Sequence, residues 1–183
     1  TNATFYDNVE VEDQWRLGEV DDGWSVMGIA LALERGVMGG TNPAVPLLKH
    51  VLNWAETAPS KNKSLMISNA LMRERIARTA IINQVGQLLT LRAAWIAATG
   101  GMPGVEGSMA KIYASEEYQK VVGWFQQMAG AEGLLSFGAE DAAASGWIDY
   151  DARHAPVTTI YGGTSEINRN NIAERHLGLP RSR

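Results

Sequence analysis

The chain has 183 residues, 16 Lys+Arg against 20 Asp+Glu, and a formal net charge of −4 at pH 7. That length makes about one domain, 45% hydrophobic residues furnish its core, and the acidic balance excludes the basic face that nucleic-acid binding needs. No apolar run reaches the roughly 18–20 residues of a membrane span, and zero Cys excludes disulfides, thiolate nucleophiles and cysteine zinc sites, a profile that suits a cytoplasmic protein.

Residues 4–12 alternate with period two, Phe5, Val9 and Val11 against Asn8, Glu10 and Glu12, which predicts a half-buried strand. No second strand pattern follows, and a lone strand has no ladder for its amides. The expectation is one stray β-strand pairing with a sheet outside this chain, and Thr1 in place of Met fits a fragment or a processed chain. From Gly23 onward the pattern is helical. Trp24 to Met38 is apolar on nearly all sides, which predicts a buried helix. Gly39-Gly40-Thr41-Asn42-Pro43 interrupts it, and a second helix resumes to about Thr57 with Asn42 as cap and Pro43 in its first position.

After a polar linker, Ala58 to Lys63, Ser64 is the expected cap of a helix reaching about Thr99, some 50 Å long. Its apolar stripe is Ile81, Val85, Leu88, Leu89, Trp95 and Ile96. Gly100 to Gly104 ends it, and a helix over about Ser108–Ala129 follows, with Ala110, Ala114, Tyr118, Val121, Phe125 and Met128 on one face. A Gly/Ala-rich stretch runs to about Arg153. A final helix, about Ser165–Leu177, is closed by Gly178 and Pro180. Long helices with short turns predict an all-α antiparallel helical bundle.

Three groups of residues could carry chemistry. Glu34 has Ala30, Leu31, Val37 and Met38 as its helical neighbours. A carboxylate on such a face loses hydration, its pKa rises, and it suits a general base; a buried ion pair with Arg35 or another basic residue fits the same pattern. Ile160 to Ile167 is a glycine turn opening a helix, whose amides and dipole attract phosphate. An ordinary turn with Thr164 or Ser165 as N-cap is its bland counterpart. Gln127 to Gly133 is either a ligand's approach to the backbone or a helix end with Gly130 just past it. His50, His154 and His176 are scattered without metal-ligand spacing, and Arg92 reads as a snorkelling or ion-paired bundle arginine.

The last segment, Tyr161-Gly-Gly-Thr-Ser-Glu-Ile-Asn-Arg-Asn-Asn-Ile-Ala-Glu-Arg-His-Leu-Gly-Leu-Pro-Arg181, closely resembles the C-terminal signature of acyl-CoA dehydrogenases. Other pieces follow in that family's order. Phe5 to Val11 resembles the strand closing its middle β domain, Leu33-Glu34-Arg35 its first bundle helix, and Arg92-Ala-Ala-Trp95 and Gln127 to Gly133 later bundle segments. The resemblance implies residues 1–22 as a remnant of a middle β domain and 23–183 as the C-terminal helical bundle. It implies FAD as cofactor, an acyl-CoA substrate, a homo- or hetero-oligomer, and as electron acceptor a flavoprotein or, as in sibling oxidases, oxygen. The bacterial branch acting on bulky or unusual acyl groups is the nearest in appearance.

In the implied reaction a carboxylate removes the α-proton of the thioester while the β-hydride passes to FAD. The family places that carboxylate either just before the Gly-Thr of the last motif, here Gly162, or just before the arginine of the first bundle helix, here Glu34. The resemblance therefore assigns Glu34 as base, Arg35 and Gly163 to the substrate, and Gln127, Met128, Ala129, Gly130, Ala131, Thr164, Ser165 and Glu166 to FAD, with no metal. Two positions differ from the family's pattern. Ala32 stands where an acidic residue meets pantetheine, and Ala58 to Lys63 replaces an Arg-x-x-Phe-Gly segment. These differences motivate an alternative reading as a non-catalytic partner subunit or assembly domain of a heteromeric dehydrogenase.

Overall fold

Tyr118 and Phe125 lie two helical turns apart and are both 0% exposed, and the helix that carries them organises the molecule. In a computed structural model, which describes residues 2–181 other than 41, 42, 61, 62, 102 and 103, and residues 32–40 by backbone alone, this helix is flanked by five others. In chain order they are α1 (Gly23–Gly40), α2 (Ala44–Thr57), α3 (Ala70–Ala98), α4 (Glu106–Ala129), α5 (Trp147–Thr158) and α6 (Ser165–Arg175). The central helix is α4, which packs against α3, α5, α1, α6 and α2. The fold is an all-α helical bundle, as the periodicity predicts.

The face predicted for α4 is the one buried: Ala110, Ala114, Tyr118, Val121 and Phe125, with Met128 partly covered. Leu47, Val51 and Ala55 of α2, Met72 and Ile82 of α3, and Ile148 and Ala155 of α5 complete the core. At the α3–α4 contact, Arg75 lies 4.4 Å above the Trp124 ring, and Arg92 pairs with Glu106 at 3.6 Å, the ion-paired arginine expected.

Several expectations are corrected. Residues 4–12 have no ladder among the described residues, the expected sheet partner being outside this chain; Asn8, at φ 48, departs from the extended alternation, and Phe5, Tyr6, Val9 and Val11 are exposed. A strand is defined by ladder partners, and the described residues supply none. The described part of α1 is not buried; Trp24 is 83% exposed and Ile29 59%. Its apolar sides meet α3 and α4 only in part, and no other described element covers them. Asn42 lies outside the described residues, and Pro43 precedes α2 as its N-cap position without a side-chain cap.

The cap of α3 is Asn69, not Ser64. Its side-chain oxygen accepts from the Leu71 and Met72 amides at 2.8 and 3.3 Å, and Met66–Ser68 before it is a 3-10 turn. The helix has 29 residues, about 44 Å. Its buried face is Met72, Thr79, Ile82, Gly86 and Ala93, while Ile81, Leu88 and Trp95 of the predicted stripe are exposed. Met72, Thr79, Gly86 and Ala93 recur every seventh residue, the heptad seam of packed helices, and three are small enough to bring α4 close.

Sequence reading gave α5 no helix of its own. Gly146 precedes it at φ +91, and a Cβ there would lie 2.6 Å from the Phe137 amide nitrogen, so the chain turns where only glycine fits. Pro156 in its last turn and the Gly/Ala composition before it mask the helical pattern. The end of α6 at Arg175 is followed by Gly178 at φ +67, within two residues of the expected close.

Candidate functional site

The Tyr161–Glu166 turn joins α5 to α6 through two left-handed glycines, Gly162 at φ +66 and Gly163 at φ +87. Gly162 is buried and Gly163 exposed. A Cβ on Gly163 would meet Asn168 Nδ2 at 3.1 Å, and that same amide nitrogen donates to the carbonyls of Gly163 (2.8 Å) and Thr164 (3.0 Å). The turn is thereby tied to the helix it opens. Thr164 is the N-cap, its hydroxyl oxygen accepting from the Ile167 amide at 3.3 Å. The Ser165 amide donates to the Thr159 carbonyl at 3.1 Å. The Glu166 carboxylate is held below its ordinary range by its own backbone N–H and then by the Thr164 hydroxyl. So the first amides of α6 have partners within the chain, which qualifies the expectation of amides open to phosphate.

Beneath this turn, α4 and α6 share a polar seam. Arg169 donates to Glu116 at 2.7 Å, and this guanidinium, followed by the Ser165 hydroxyl, holds the Glu116 carboxyl low. Lys111 is 4% exposed; burial lowers its pKa, while Glu116 and Glu166 oppose that shift. Sequence reading missed Lys111, because one of the carboxylates that act on it, Glu166, stands more than fifty positions away.

A second missed arrangement is a run of rings from α2 to the turn. His50 stacks on Trp147 at 4.3 Å, Trp147 meets Tyr150 edge-on at 5.6 Å, and His154 lies 6.2 Å from Tyr150 and 6.1 Å from Tyr161. Tyr118 donates to buried Asp151 below it. Burial raises the Asp151 pKa, and burial together with the Asp151 contact raises that of Tyr118. His154 and Tyr161, with Lys49, Asn53 and Gln87, line a groove of about 1060 Å³ between α2 and α3. The scattered histidines are thus partly gathered by the fold, but as ring contacts. Among the described residues no group of three or more His, Asp or Glu could hold a metal ion, and no helix is long and apolar enough to cross a membrane.

Of the expected site residues, Gly163, Thr164, Ser165 and Glu166 come together on the turn. Gln127, Met128, Ala129, Gly130 and Ala131 lie at the far end of α4, about 16 Å along its axis from Glu116 at 1.5 Å per residue. There Gly130 ends the helix at φ +64, and Gln127, Gly130 and Ala131 are exposed. Within one chain the two groups are therefore apart. Glu34 and Arg35 fall on α1, which packs against α3 and α4, and their side chains lie outside the described residues, as does that of Ala32.

A family model described as acyl-CoA dehydrogenase, C-terminal domain, matches residues 21–177. The chain belongs to the acyl-CoA dehydrogenase family. Among curated relatives, acyl-CoA dehydrogenase FadE34 of Mycobacterium tuberculosis is 34% identical over 98% of this chain, which spans 23% of that protein. Acyl-CoA dehydrogenase FadE26 of the same organism is 25% identical over 100% of the chain and 46% of its own length. The chain thus spans less than half of either relative. Among solved acyl-CoA dehydrogenase structures, the Tcur3481-Tcur3483 steroid ACAD matches with TM-score 0.82 and 25% identity, over 97% of this chain and 45% of that one. The ChsE4-ChsE5 complex from M. tuberculosis, at TM-score 0.68 and 24% identity, shares the fold over 76% of this chain and 36% of that one.

Proposed function

We propose that this chain is the C-terminal helical portion of an FAD-dependent acyl-CoA dehydrogenase and that Glu34 is its base. The observation that carries the reading is Gly162. At the position before the Gly-Thr of the last motif, the chain has a buried left-handed glycine and no proton acceptor. The carboxylate needed for removing an α-proton must then come from elsewhere, and Glu34 on the apolar helix α1 supplies it. Glu34 stands among Ala30, Leu31, Val37 and Met38, and a carboxylate there becomes a stronger base only once substrate and partners exclude water from this helix.

The residues fit the cofactor that the family uses. Gly163 is exposed and has no Cβ, so a ligand reaches the turn's backbone; Thr164 carries a hydroxyl there, and the N-terminal dipole of α6 favours phosphate. The Glu166 carboxylate on its own amide is exposed and can be displaced. Gln127 presents an exposed amide at the other end of α4. Because these two groups are apart in one chain, each serves a different flavin or a different part of one, as in an oligomer. FAD, when bound, supplies the hydride acceptor. Arg35 and Gly163 orient the acyl-CoA, and Glu34 takes the α-proton. The domain division at residue 22, the acyl-CoA substrate, a flavoprotein acceptor and a cytoplasmic setting belong to the same proposal. Similarity to a steroid ACAD supports a bulky acyl group.

The second reading, a non-catalytic partner subunit, is favoured by Ala32 in place of the pantetheine acid and by likeness to the heteromeric ChsE4-ChsE5 complex. Expression of the full-length protein, alone and with its partner, separates the two. The leading reading predicts stoichiometric flavin and acyl-CoA oxidation from protein carrying an intact Glu34. Flavin-free protein that remains inactive alone, with activity restored by a partner whose own base suffices, would favour the second. Residues 1–183 by themselves are expected to hold flavin weakly or not at all.

A further inference from the structure

Two adjacent left-handed glycines give the Tyr161–Glu166 turn more backbone freedom than other residues would. A ligand that needs the turn ordered loses affinity to that freedom unless the chain on both sides is fixed beforehand. The exit is fixed by Asn168, whose amide nitrogen donates to the Gly163 and Thr164 carbonyls at 2.8 and 3.0 Å. The entry is held by a series of contacts that begins in the core. Tyr118, 0% exposed on α4, donates its hydroxyl to Asp151 of α5. The next residue, Gln119, donates to the Ala155 carbonyl and to the Thr159 hydroxyl, both at 3.3 Å. These bonds tie the last turn of α5 to the central helix as far as Thr159.

Beyond Thr159, the side chain that leads into the glycines is that of Tyr161, whose amide donates to the Val157 carbonyl at 3.2 Å. The ring stacked on Tyr161 is that of His154, 6.1 Å away at an interplanar angle of 28°. His154 also meets Tyr118 edge-on at 6.2 Å, and it lies 6.2 Å from Tyr150 at 28°. It therefore links a fixed ring of the core to the residue before Gly162. We propose that His154 is a positioning residue: its ring, braced by Tyr118 and Tyr150, holds the Tyr161 ring and so presets the Gly162–Gly163 turn for its ligand. Burial raises the pKa of both Tyr118 and Tyr161, so these neighbours are neutral phenols, and what His154 offers them is a flat face. Asp151, which senses the charge of His154, is already engaged by Tyr118. His154 and Tyr161 also stand side by side on the wall of the α2–α3 groove, where a larger ring in place of the imidazole has room.

This inference rests on the reading of the turn as a flavin contact, and the test separates the two. In the full-length enzyme, flavin affinity is measured by fluorescence quenching, with thermal stability beside it. His154→Leu keeps bulk and removes the flat ring, and it should weaken flavin binding about threefold to tenfold, the size of one aromatic pair. His154→Phe restores a flat ring and should return affinity to within about twofold of wild type. His154→Leu combined with Tyr161→Leu should be no weaker than Tyr161→Leu alone, because nothing is left to position. Val51→Ala truncates the α2 core outside this series of contacts; it should lower the thermal midpoint and leave flavin affinity unchanged. Four results would each overturn the proposal: wild-type affinity in His154→Leu, no recovery in His154→Phe, additive losses in the double variant, or equal weakening in Val51→Ala. Thr164→Ala serves as the reference for the turn itself. If it weakens flavin binding and His154→Leu does not, the inference fails alone. If Thr164→Ala has no effect, the reading of the turn and the inference fail together.

Discussion

Asp151 is 6% exposed, and the Tyr118 hydroxyl donates to it from the middle of α4. Burial is the larger influence, and it raises the carboxyl's pKa against the opposing pull of that hydrogen bond, His154 and His50. The folded chain therefore binds this proton more tightly than the unfolded chain does. The stability this one group contributes is fully present below the unfolded value of about 3.9 and is lost as the pH rises from there through the raised folded value. Asp151→Asn keeps an acceptor for Tyr118 and removes the titration. Urea denaturation at neutral pH should show Asp151→Asn more stable than wild type, with the gain vanishing near pH 4; equal destabilisation at both values would contradict this origin. Residues of this kind were illegible in the sequence. Asp151, Tyr118, His154 and His50 acquire their environments from partners on different helices, as Lys111 does. The glycine turn and the Thr164 cap were legible because their signal is local, a glycine pair before a capping hydroxyl.

At the scale of elements, periodicity located α4 closely because one helix with one buried face leaves one pattern. It failed at α5, where a left-handed glycine, a proline in the last turn and small residues conceal the repeat. It also chose the outward face of α3. That helix is apolar on both sides, and only the small residues Thr79, Gly86 and Ala93 distinguish the seam that meets α4. The start of α3 gives a direct test of the local account. Asn69→Ala removes the acceptor for two backbone amides and should cost about 1 kcal/mol in chemical denaturation. Ser64→Ala, at the position that sequence alone favoured, should cost close to nothing. The reverse order would assign the cap to the wrong residue.

For the molecule as a whole, the core around α4 is closed, and two apolar surfaces are not. Phe125→Ala empties a site that is 0% exposed among α2, α4 and α5, and should cost about 3–5 kcal/mol by denaturation; a loss below about 1 kcal/mol would mean that the core lies elsewhere. Outside that core, Trp24, Met27 and Ile29 on α1 and Ile81, Leu88 and Trp95 on α3 remain exposed. Patches of this kind mark contact surfaces, and the chain spans under half of FadE26. The amphipathic patterns announced apolar faces; what covers each face is a long-range property, which is why α1 was expected to be buried.

The central claim is that Glu34 removes the substrate's α-proton in place of a carboxylate at Gly162. Its most direct test is single-turnover flavin reduction by acyl-CoA in the full-length enzyme, comparing wild type with Glu34→Gln. Glu34→Gln preserves size and hydrogen bonding but cannot accept the proton, so the rate constant should fall by at least about a hundredfold while flavin content and acyl-CoA affinity stay near wild type. Flavin reduction at a near-normal rate in Glu34→Gln would contradict the account.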